Sequence, residues 1–141
     1  MNNKTILGGL VAGVAFFFLG WVVYGMLLKD FMADSSNMEQ TGMRKMEEMV
    51  WWAMVASCLI KGYFVALMLG WSSTRGMSIG LQKGALIGLL LALAHGLGMH
   101  AMTTCYKNMN ALIVDVAAST VIFAIAGGIV GWIMGMDKKT A

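Results

Sequence analysis

Proline is absent from this chain, histidine and cysteine occur twice each, and only 12% of the residues carry charge. Without proline, any break in a helix must come from glycine or from the turns themselves. Soluble domains are about a quarter charged, so this scarcity of charge points to a bilayer as the solvent. Two cysteines and two histidines are too few for a disulfide framework or a repeated zinc motif. No HExxH, CxxC, phosphate loop or Ser–His–Asp spacing occurs, and no enzyme activity is expected. The sequence pI is 9.0, but the basic residues are scattered over short connections. No basic stripe marks a nucleic-acid partner.

What is abundant is apolar length. Hydrophobic residues make up 59% of the 141 positions. A crossing takes about 20 apolar residues, and four segments qualify: 5–28, 49–71, 84–106 and 112–136. These predict an all-α, four-helix transmembrane bundle, a single integral domain over 1–141. The apolar run after Met1-Asn2-Asn3-Lys4 is too long for a signal peptide and no small-residue cleavage site comes after it. It is read as a retained first helix.

The connection from Lys29 to Glu48 holds five of the seven acids, Asp30, Asp34, Glu39, Glu47 and Glu48. Ser36 and Glu39 have capping-box spacing. Met43, Met46 and Met49 then recur every third residue, so the second helix is expected to run over 37–71, with 49–71 in the membrane. Trp51 and Trp52 at one end and Trp71 at the other suit two interfacial belts. Lys4, Arg75, Lys83, Lys138 and Lys139 lie on one side, against Lys29, Arg44, Lys45 and Lys107 on the other. That balance places both termini on the same side, the cytoplasmic one.

Glycine recurs at four-residue spacing, which lets helices approach closely. Gly9 and Gly13 form one such pair. Gly84, Gly88 and Gly96 form a ridge on the third helix, and Gly127, Gly131 and Gly135 one on the fourth. A ridge left over would serve a partner or a second copy of the chain.

Polar groups at membrane depth are functional candidates. Tyr24, His100, Asp115 and Ser119 fall in the outer half of the predicted spans, and Lys61, at the centre of its own, leans outward toward an inward-leaning His100, so the five are expected to form one polar pocket. The bland alternative is lysine snorkelling and ordinary interhelical hydrogen bonds. His95 and His100 diverge by about 140° on an ideal helix and cannot share an ion there. Met102 and Cys105 add soft ligands of a kind that suits Cu(I). His95, His100, Met102 and Cys105 are thus weak metal candidates, and no cofactor is expected.

Three stretches carry a resemblance. They are FFFLGWVVYGMLLKDFM at 16–32, GLQKGALIGLLLALAHGLGM at 80–99 and ALIVDVAASTVIFAIAGGIVGWIMG at 111–135. Together they resemble an uncharacterised bacterial family of four-helix integral membrane proteins. The family has Trp and Tyr adjacent late in its first helix, whereas here Trp21 and Tyr24 are separated by two valines. The resemblance implies the architecture and a bacterial cytoplasmic membrane, and it marks Trp21, Tyr24 and Asp115. The function expected is association, as an accessory subunit or homo-oligomer. The alternatives are a small-solute or proton transporter or channel built on the polar pocket, and a haem or copper binder.

Overall fold

The computed structural model describes residues 3–35 and 46–136. Helix α1, Asn3–Val22, continues through a π turn at Val23–Leu27 into the short α2, Lys29–Ser35. A 3₁₀ turn at Met46–Glu48 precedes α3, Trp51–Trp71. Then come α4, Met77–Met102, and α5, Met109–Gly135. Four of these elements are long and apolar enough to cross a membrane: Asn3–Leu27, α3, α4 and α5. They alternate in direction, so Asn3 and Met136 share one end of the bundle. At that end the Lys4 ammonium donates to the Met136 carbonyl. All five tryptophans are exposed. Trp71 and Trp132 lie near this end, and Trp21, Trp51 and Trp52 near the other, as aromatic belts require.

The helices pack in the order α3, α1, α5, α4. Between α1 and α5 the core is filled by Ala12, Phe16, Ile122, Ala126, Val130 and Met134, with Val65, Ala66 and Leu69 closing it from α3. Phe16 meets Phe123 edge to face at 4.7 Å between ring centroids, a contact favoured by the ring quadrupole. Helices α3 and α4 barely touch, although a five-residue turn joins them.

The two tightest seams are made of glycine. On α1, Gly9 and Gly13 meet Gly62 of α3. A methyl group on Gly13 would lie 2.8 Å from Leu59 Cα, and one on Gly62 would lie 2.5 Å from the Gly9 carbonyl. On α4, Gly80 and Gly84 interleave with Gly127 and Gly131 of α5. A methyl on Gly127 would sit 2.7 Å from Gly84 Cα. Gly88 abuts the Phe123 side chain, Gly96 the Leu112 side chain, and Gly135 the Gly76 backbone. Each of the eight expected packing glycines is therefore used inside the chain, and no ridge is left over. The buried residues of α4 are four of its five glycines, Gly80, Gly84, Gly88 and Gly96. This helix is fastened mainly by its backbone; Ile87 packs against the core, and most of its other large side chains are exposed.

The boundaries differ from the sequence expectation at four places. Helix α3 does not run unbroken from Asn37. Val50, with φ −83° and ψ 91°, is extended, and the helix starts at Trp51. The Ser36–Glu39 capping box and Met43 lie outside the described residues. Helix α4 starts at Met77, seven residues before Gly84. Its first turns tolerate Ser78, Gln82 and Lys83 because they lie at the end of the bundle, where the Lys83 ammonium donates to the Ser72 carbonyl at 3.0 Å. The same helix stops at Met102, where Thr103 turns extended and its hydroxyl donates to the Met99 carbonyl at 2.7 Å. Cys105 and Tyr106 therefore lie in a connection and not in a span. Finally, α5 starts at Met109, because Asn108 caps it through its side-chain oxygen, which accepts from the Ala111 amide at 3.0 Å.

Candidate functional site

Tyr24 lies in the π turn, where Leu28 N–H donates five residues back to the Val23 carbonyl at 2.8 Å. One extra residue in the turn rotates the helix at this level and brings Tyr24 round toward α5. Its hydroxyl donates to Asp115 Oδ1 at 2.7 Å. The Tyr24 hydroxyl oxygen also lies 3.0 Å from Ser119 Oγ, one helical turn along α5 from Asp115. With the Tyr24 proton given to the carboxylate, the serine hydroxyl is the donor in that second bond.

The other carboxylate oxygen is also taken. The Tyr106 hydroxyl, from the connection between α4 and α5, donates to Asp115 Oδ2 at 2.7 Å. Burial pushes the Tyr106 phenol above its ordinary range, and the neighbouring Asp115 carboxylate pushes it the same way. Asp115 thus ties together the π turn of the first crossing, the last connection and its own helix.

The same end is closed from above by α2. The Lys107 amide donates to the Ser35 carbonyl at 3.0 Å and the Lys107 ammonium to the Asp34 carbonyl at 3.0 Å. Met32 and Cys105 are buried at this end. Cys58 and Cys105 are both free thiols.

Of the five residues expected to share a pocket, Tyr24, Asp115 and Ser119 meet, and Lys61 and His100 do not join them. Height along the bundle separates Lys61 from the group, whereas His100 lies at roughly the height of Asp115 and is exposed. Tyr24 is twenty residues from Lys4 and Asp115 twenty from Gly135, so both lie roughly 30 Å from the end that holds the termini. Lys61 is ten residues from Trp71, roughly 15 Å from that end. Because α4 starts at Met77 and not Gly84, His95 and His100 are carried outward by about 10 Å relative to the predicted span. His100 sits in the last turn of α4, and Lys61, His95 and His100 are all exposed. Among the described residues no hydrogen bond or ion pair links any of the three to the Asp115 group.

Tyr106 is the member of the group that the sequence does not announce. In the sequence it looks like the end of a span, and its one signal is its place in a tight connection nine residues before an acid. Among the described residues no three His, Cys, Asp or Glu side chains are grouped to hold a metal ion. Met102 is 81% exposed and Cys105 is 7% exposed, so these two soft ligands are not presented to one space.

No family model matches the chain, and no curated protein or solved structure matches it. The class rests on the fold: four apolar crossings make this a small membrane protein.

Proposed function

We propose that the protein acts by association, as an accessory subunit bound to another protein in a bacterial cytoplasmic membrane. The observation that carries this reading is the placement of Lys61. It is exposed at the middle of α3, on a helix whose tryptophans mark both interfaces. A charged group facing hydrocarbon at that depth is expensive, and it is expected to be covered by protein.

The construction of the bundle supports the same reading. The hydrogen bonds of Asp115 go to tyrosines that join helices, so its visible role is to hold the outer end together. The glycine seams are consumed within the chain, which leaves the outward faces of α3 and α4 free for a neighbour.

The test is photo-crosslinking in native membranes from a reactive amino acid at Ile60 or Phe64, which flank Lys61 and are both exposed. Reproducible adducts of defined mass are expected from these positions. Adducts to lipid alone would overturn the reading.

A further inference from the structure

The reading of an associating subunit leaves the chemistry of its neighbour open, and Lys61 narrows it. Trp51 and Trp71 lie twenty residues apart, about 30 Å along the helix, which is the thickness of the hydrocarbon core. Lys61 is midway. Five bonds of side chain carry its ammonium roughly 6 Å from the backbone, so snorkelling covers less than half of the distance to either interface. A lipid headgroup is out of reach for the same reason.

The chain itself supplies no anion at this height among the described residues. Asp30, Asp34, Glu47 and Glu48 lie beyond the outer ends of the crossings, and both oxygens of Asp115 are held by tyrosines about 15 Å higher. A second copy in the same orientation has the same shortage, and it would bring another Lys61 to the interface. From this charge pattern we infer that the face of α3 bearing Ser57, Lys61 and Phe64 is a docking site for a transmembrane helix of a different protein, one that carries an aspartate or glutamate near the bilayer midplane. Ser57, one turn outward and exposed, offers that carboxylate a second donor.

This inference rests on the reading of an associating subunit, and its test separates the two. The full chain, labelled with a donor dye, is reconstituted in phosphatidylcholine vesicles with a transmembrane peptide of leucine and alanine that carries an acceptor dye and one central glutamate. A peptide with leucine at that position is the control. The glutamate peptide is expected to bind about tenfold more tightly than the control. Lys61→Met should remove that preference and Lys61→Arg should keep it. Equal binding of the two peptides, or a preference that survives Lys61→Met, overturns the inference. So does energy transfer between two labelled copies that Lys61→Met abolishes, since the occupant would then be a second copy. If the peptides are not distinguished while crosslinking from Ile60 still yields protein adducts, the association stands and the acidic helix falls.

Discussion

Tyr24 and Asp115 are 91 positions apart in the chain and 2.7 Å apart at the phenol and carboxylate. The pair joins the first crossing to the last, and Tyr106 closes it from the other side of the carboxylate. At the end of the bundle away from the termini one acid thus receives two tyrosine hydrogen bonds, beside the bonds of Lys107 to Ser35 and Asp34.

Removing one phenol leaves a carboxylate oxygen without its donor. Tyr24→Phe is expected to destabilise the folded state by about 1–3 kcal/mol, the range for a hydrogen bond to a charged group. Denaturant titration in mild detergent measures it. In a double-mutant cycle with Asp115→Asn the two losses should overlap and not add. Full additivity would mean that the bond contributes nothing.

The Tyr106 phenol titrates above its ordinary value of about 10, so the folded state holds that proton more tightly than the unfolded chain. Its contribution is complete below that pH and is lost as pH rises through the folded value. Stability in detergent should accordingly show a decline above about pH 10 that Tyr106→Phe lessens. Ultraviolet titration of the phenols should show a delayed ionisation that is missing from Tyr106→Phe.

A methyl group on Gly84 or Gly127 would enter the facing backbone, so either glycine replaced by alanine should cost about 1–3 kcal/mol through separation of α4 from α5. Gly20 and Gly98 have open space beside them. Gly20→Ala and Gly98→Ala should be neutral or stabilising by up to about 1 kcal/mol, since alanine favours the helix. Thermal unfolding in one detergent compares all four.

Lys61 and the Asp115 group differ in height by about 15 Å, so Lys61→Met and Tyr24→Phe should be independent. Their effects on stability are expected to add within about 0.5 kcal/mol. A larger coupling would restore the single pocket that the sequence suggests.

The crossings are legible in the sequence because bilayer thickness dictates apolar length, and Thr5–Leu28 or Leu112–Met136 can satisfy it in one way only. The meeting of Tyr24, Asp115 and Ser119 is legible as well, since three polar groups at the same height seek partners. The register of α4 is not. Ser78, Gln82 and Lys83 look like a turn, yet a helix end at the interface accepts them, and the seven-residue shift moves both histidines outward. Lys61 lies at the middle of its span in the sequence and in the structure alike, and the lean of its side chain, which joins it to the pocket in the sequence reading, is too short to cover the roughly 15 Å to Asp115. The π turn leaves no mark at all: nothing in Val23–Leu27 breaks the helical pattern, and its tertiary partner on α5 determines it.

The fastening of α4 by four glycines has a consequence for how this sequence can vary. Leu86, Leu90, Leu93 and Leu97 are exposed and lie outside the buried seam of the helix. They are free to change with membrane thickness, lipid composition or the shape of a neighbour, while the seam beneath them admits almost no change. Substitution at Gly80, Gly84 and Gly88 should be rare among working variants of this protein, substitution at those four leucines common, and Gly96, which faces the movable end of Leu112, should be intermediate. A saturation library selected for folding would trace the seam as a single stripe of intolerance along an otherwise permissive helix.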